Sequence, residues 1–121
     1  MARLAIVGSR DFGDSGLVRR FVDRLRASTV VVSGGARGVD RVAVDAARLR
    51  DLGTEVFPAD WDRFGRSAGI RRNADLVASV DGLVAFWDGS SPGTRDAIRR
   101  ALDLGIWVRV YRVDGSFSSS L

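Results

Sequence analysis

Five short apolar runs, each closed by a turn-forming segment and separated by stretches of helical periodicity, constrain this chain more than any other feature. Leu4–Val7 ends in Gly8-Ser9-Arg10, and Thr29–Val32 runs straight into Ser33-Gly34-Gly35-Ala36-Arg37-Gly38. Glu55–Phe57 is closed by Pro58, Gly82–Trp87 leads into the loop Asp88–Gly93, and Trp107–Val113 comes last. Such runs are too short for buried helices and read as strands. Between the first two, Leu17, Val18, Phe21, Val22 and Leu25 recur at helical spacing, with Arg19, Arg20, Asp23 and Arg24 opposite. Val42, Ala43, Ala46 and Leu49 predict a second helix stopped at Gly53; Ile70, Ala74, Leu76 and Val77 predict a third over 68–79. A fourth opens at Thr94, turns Ala97, Ile98, Ala101 and Leu102 inward, and stops at Gly105. Ala59–Arg66 reads as loop.

Strands alternating with helices specify an α/β fold of βαβ units: a single Rossmann-like domain of about five parallel strands with helices on both faces. The domain is expected over residues 1–113, followed by a flexible Ser-rich tail at 114–121. In such sheets a ligand binds beyond the carboxyl ends of the strands. The three unusual loops, after the first, second and fourth strands, all fall at that edge. No apolar run approaches the roughly 20 residues of a membrane span, and no secretory h-region is visible, so a cytoplasmic location is expected.

The absent residues narrow the chemistry. The 121 residues include no Cys, His or Lys, so all 19 basic side chains are Arg; 14 of the 15 acids are Asp, Glu55 being the exception. Thiolate and imidazole chemistry, a Schiff base and a P-loop lysine are thereby excluded, and neither metal nor cofactor is expected. The net charge of +4 is carried by guanidinium groups, which grip phosphate through two hydrogen bonds and stack on bases.

Ser33–Arg41, SGGARGVDR, places glycines where backbone approaches a ligand and the chain turns into a helix whose first N–H groups can face an anion. Arg37 adds a possible phosphate contact, Asp40 lies in the first turn, and a side chain at Gly35 is expected to block the ligand. Asp88–Thr94, DGSSPGT, repeats that arrangement: Gly89 and Gly93 give backbone access, while Ser90, Ser91 and Thr94 give hydroxyls. Thr94 alternatively caps its helix. Asp60 and Trp61 offer a carboxylate for ribose and an aromatic wall, or Trp61 packs the loop onto the core. Arg71-Arg72-Asn73 is either a phosphate clamp or a solvated run. Trp87 reads as core. The first loop contributes Gly8, Ser9 and Arg10.

Taken together, SGGARGVDR, PADWDRFGRSAGIRRNADL (Pro58–Leu76) and WDGSSPGTRDAI (Trp87–Ile98) resemble the YspA-type branch of the SLOG superfamily of Rossmann-like domains. The superfamily includes Lonely-guy phosphoribohydrolases, DNA-processing proteins of natural transformation, and sensors of ADP-ribose-related signals in antiviral systems. The resemblance implies that Gly34, Gly35, Arg37 and Gly38 line a phosphate site with Arg72, Asn73, Gly93 and Thr94. It also implies a homo-oligomer, a dimer or higher. Phosphoribohydrolases of this superfamily carry a catalytic Glu three residues after the Gly-Thr pair; this chain has Ala97 there, with Asp96 beside it.

The sequence-level expectation is therefore a non-catalytic binder of a phosphate-bearing, nucleotide-derived small molecule, a sensor or a sequestering protein that opposes an antiviral signal. A nucleoside-monophosphate hydrolase, with Arg72 stabilising charge and Asp40, Asp88 or Asp96 as base, is the enzymatic alternative. Single-stranded nucleic acid held by Trp61, Phe64 and nearby arginines is the third.

Overall fold

The computed structural model describes residues 2–121. Five parallel strands are β1 (Arg3–Gly8), β2 (Val30–Ser33), β3 (Gly53–Val56), β4 (Gly82–Phe86) and β5 (Trp107–Tyr111). A two-residue β6 (Phe117–Ser118) adds antiparallel to β5, and the sheet order is β3-β2-β1-β4-β5-β6. The order reverses between β1 and β4, where the connections leaving the two strands run to opposite faces of the sheet and leave a crevice at its carboxyl edge.

Period-two alternation divides the core. Ala5, Val7, Val32, Leu83 and Ala85 point to one face, where α4 (Ala68–Ala78) and α5 (Pro92–Leu104) cover them with Leu76, Val77, Ala97, Ile98 and Ala101. Ile6, Val31, Val84 and Phe86 point to the other, under α1 (Ser15–Asp23) and α2 (Val39–Leu49) with Val18, Val22, Val39 and Ala43. β4 is buried throughout its length, as a central strand covered on both faces must be. This is a Rossmann-like single α/β domain, as the sequence predicts.

The differences have local causes. Asp60 accepts from the Arg63 N–H and starts a one-turn helix, α3 (Trp61–Phe64), where a loop is expected; a 3-10 turn, Gly65–Ser67, then leads into α4. The second helix ends before Gly53, through Asp51 at φ 56°, so Gly53 opens β3 rather than stopping α2. The expected Ser-rich tail carries a hairpin: the Asp114 carboxylate accepts from the Ser116 N–H and hydroxyl at Gly115, and Phe117 packs on Tyr111. Among the described residues, no helix is long and apolar enough to cross a membrane.

Candidate functional site

At the carboxyl edge of β1, β2 and β4 lies a cavity of about 400 Å³, within the range of small-ligand sites. Four elements wall it. The β1–α1 loop contributes Gly8 and Arg10; the β2–α2 segment contributes Gly34, Ala36, Arg37 and Asp40. The α3–α4 region supplies Trp61, Arg66, Gly69, Ile70, Arg72, Asn73 and Leu76, and the β4–α5 segment supplies Ser91, Pro92, Gly93, Thr94 and Ala97. The lining thus holds four arginines and a single carboxylate. α5 begins here at Pro92, and the first turn of α2 reaches the wall at Asp40; neither helix start has a side-chain cap bond among the described residues. Their first N–H groups and aligned peptide dipoles favour an anion.

Arg72 is the keystone of this wall. Its Nη1 donates to Gly34 O at 2.7 Å and Phe57 O at 3.1 Å, and its Nε to Asn73 Oδ1 at 3.0 Å. Asn73 in turn donates through Nδ2 to Gly93 O and Asp96 Oδ2, both at 3.1 Å. One arginine–asparagine pair therefore joins the β2–α2 loop, the chain after β3 and the start of α5. The guanidinium stands where a side chain at Gly34 would have to go: a Cβ there would lie 2.5 Å from Arg72 Cζ. Gly34, not Gly35, is the close-approach glycine. Gly35 lies outside the cavity lining at φ +72°, and a Cβ on it would meet Val56 at 2.7 Å, so a valine there strains the loop rather than obstructing a ligand.

Other expected contacts prove to build the loops instead of lining the cavity. Ser33 Oγ accepts from the Gly35 N–H, and Gly38 takes φ +83° with Arg10 backbone packed where a side chain would sit. Ser9 accepts from the Asp88 N–H and pairs with Ser91, whose hydroxyl reaches Thr94. Asp88 accepts from the Ser90 and Ser91 N–H groups, which hold its carboxyl below its ordinary value; Gly89 supplies the positive φ of that turn. Asp60 caps α3, and Arg71 lies over the Phe64 ring rather than joining a clamp. Asp96 is held between Asn73 and Arg100, 2.9 Å from the latter, and does not face the cavity. Trp87 packs against the core while its Nε1 bonds Ser91 O. Trp61, 59% exposed, and Ile70 stand at the mouth. The sequence reading missed Val7, Arg66, Gly69, Ile70, Leu76, Pro92 and Ala97 as wall residues; helical spacing from Arg72 and Asn73 is a signal that places two of them, Gly69 and Leu76, on the same face of α4.

Residues 2–64, about half the chain, match the family model described as "YspA, cpYpsA-related SLOG family". The chain belongs to this family. A relative, the Gene 61 protein of Mycobacterium phage D29, is 41% identical over 116 residues, covering 88% of this chain and 93% of the phage protein. Among solved structures, DNA processing protein A of Streptococcus pneumoniae superposes with a TM-score of 0.81 at 20% identity, over 92% of this chain and 50% of that one. The protein TM1055 follows at 0.66 and 20%, over 89% and 72%. DNA processing protein A of Helicobacter pylori follows at 0.60 and 18%, over 91% and 65%. The chain thus spans half of the pneumococcal protein.

Within this SLOG domain Asp40 is the one acid of Asp40, Asp88 and Asp96 that lines the cavity. It is 4% exposed; its Oδ2 accepts from the Ala36 N–H at 3.3 Å, while Oδ1 has no partner among the described residues. Burial drives its carboxyl up from 3.8 to about 6, against the Ala36 N–H and the Arg72 charge, which act to lower it. The unfolded group ionises near 3.8, so between there and about 6 the native state holds the extra proton. Stability from this group is full below 3.8 and falls as pH rises through about 6, by about 3 kcal/mol. Asp40→Asn, never charged, is expected to exceed the parent in stability at pH 7 by at most about 3 kcal/mol, an advantage that vanishes near pH 4. Urea melts of both proteins across this range check it; a gap independent of pH would show that Asp40 titrates normally.

Proposed function

We propose that this protein binds a phosphate-bearing nucleotide in the cavity and releases it intact. The observation that carries the reading is the charge layout: Arg10, Arg37, Arg66 and Arg72 line a cavity that also receives the start of α5 and the first turn of α2, with one carboxylate among them. Such a site attracts phosphate both by charge and by preorganised N–H groups. Trp61 and Ile70 at the mouth suit a base or second sugar. Ala97 occupies the wall where the phosphoribohydrolases of the superfamily have a catalytic Glu, so the sugar meets a methyl group at that position. A role in holding a signalling nucleotide, as sensor or as sequestering antagonist of an antiviral system, is the version that the likeness to a phage protein supports.

The test is a thermal-shift panel of AMP, CMP, ADP-ribose and cyclic ADP-ribose. A ligand that binds only the native state adds roughly 2.7 kcal/mol at a hundredfold excess over Kd, a rise of several degrees for a domain of this size. No shift with any member would sink the proposal. The stabilising nucleotide is then incubated, extracted from denatured protein and chromatographed. Release of free base that disappears in Asp40→Asn would make the protein a hydrolase, since Asp40 is the acid in place.

A second reading has its own support. The Helicobacter pylori neighbour is described as having a single-stranded DNA binding mode, and here Arg63 and Arg71 flank the Phe64 ring beside exposed Trp61. Stacking surfaces of this kind hold single strands. An oligothymidylate that binds with a steep salt dependence and competes with no mononucleotide would favour it.

A further inference from the structure

Asp40 poses a question that phosphate binding does not answer. A carboxylate beside a phosphate site repels the ligand, yet this one stands on the wall with Arg10 from the β1–α1 loop, Arg37 from its own loop, Arg66 from the 3-10 turn and Arg72 from α4. The lining from α5 carries no charge. Its neighbours explain only half of it. Oδ2 takes the Ala36 N–H, and the N–H groups of Gly8 and Gly34 lie near enough to favour the charged form, yet Oδ1 is buried with no donor in hydrogen-bonding position among the described residues. The last torsion of an aspartate is broad, so the carboxylate can turn its unsatisfied oxygen to the cavity while the other keeps a backbone contact.

Such an acceptor selects a particular chemistry. Phosphate is repelled by it, and a cation is repelled by the four arginines, so the complementary group is a neutral donor. Asp40 is buried in the wall beside Arg72, the two side chains meeting next to Gly34, while the exposed Trp61 and Ile70 stand at the mouth. With phosphate on the arginines and the base toward the mouth, the part of a nucleotide that lies between them is the sugar.

Resting on the proposed nucleotide-binding function, we propose that Asp40 accepts a hydrogen bond from a ribose hydroxyl, so that the site selects ribonucleotides over their 2′,3′-dideoxy counterparts. A hydrogen bond to an ionised acceptor, and the unpaired buried oxygen left when it is missing, set the expected discrimination at about tenfold or more.

The experiment titrates the full chain at pH 7.5 with AMP and CMP, with their 2′,3′-dideoxy forms, with IMP and UMP, and with inorganic phosphate. The expected result is that each ribonucleotide binds at least about tenfold more tightly than its dideoxy form. Asp40→Asn, checked for folding by circular dichroism, narrows that ratio to about threefold or less and retains phosphate binding, because a neutral acceptor is the weaker one. In the wild type the ratio is expected to narrow likewise at pH 5, below the value of about 6 to which burial raises Asp40; this measurement decides the matter if the variant does not fold. Equal affinity for ribo and dideoxy forms would overturn the sugar assignment and leave the nucleotide reading standing. Loss of affinity in IMP and UMP, with none in the dideoxy forms, would overturn it in favour of a base amino group. Failure of every nucleotide and of phosphate to bind would overturn both.

Discussion

Arg72→Ala is expected to destabilise the domain by about 3–6 kcal/mol and to weaken nucleotide binding at least tenfold. The stability loss comes from two part-buried carbonyls, Gly34 O and Phe57 O, which the guanidinium alone bridges. Hydrogen bonds from a charged donor contribute roughly 1.5–3 kcal/mol each, and truncation leaves both acceptors unmet. Asp40 also loses the opposite charge that acts to lower its carboxyl, so that group moves further above its ordinary value. Arg72→Lys is not expected to rescue, because an ammonium cannot reach Gly34 O, Phe57 O and Asn73 Oδ1 from one planar group. Denaturant midpoints measure the first effect and calorimetric titration with the stabilising nucleotide the second. A variant as stable as the parent would mean that water replaces the guanidinium at both carbonyls.

Phe86→Ala is expected to cost about 3–5 kcal/mol, the range for deleting a buried aromatic ring, and to lower Tm by more than about 10 °C. Phe86 is fully buried at the end of β4, stacked on Tyr111 at 5.0 Å and met edge-on by Phe12 at 5.7 Å and Phe21 at 5.9 Å. Its removal therefore empties the junction of α1, β4 and β5. The same residue supports the site, since its carbonyl accepts from the Ser9 N–H at 2.9 Å and its neighbour across the sheet is Gly8. Binding is expected to weaken along with stability. Phe86→Leu keeps most of the volume and is expected to recover more than half of the loss; equal damage from both variants would place the value of Phe86 in its ring geometry rather than in its volume.

What repeats along the chain at short range was legible before any packing was known. The short apolar runs Leu4–Val7 and Gly82–Trp87, closed by turn residues, marked strands, the 3.6-residue pattern marked four helices, and the loops after β1, β2 and β4 pointed to one sheet edge because parallel strands share a direction. Gly34 and Thr94 could be picked out because the glycine-rich motifs around them allow close backbone approach, whereas Arg72 and Asn73 came from the family resemblance, the residues themselves leaving a solvated run equally open. Facing was another matter. Arg71 and Arg72 are adjacent and chemically identical, yet one lies on Phe64 and the other reaches a carbonyl 38 residues away. Asp40 and Asp96 each stand near a helix start, but one is buried with an empty acceptor and the other is neutralised by Arg100. The Ser-rich tail reads as frayed because its composition is polar, and becomes a strand because β5 offers an open edge. Local periodicity carries no information about partners so distant in sequence; only packing the two helical layers onto one sheet decides which arginine, which glycine and which aspartate meet in the cavity.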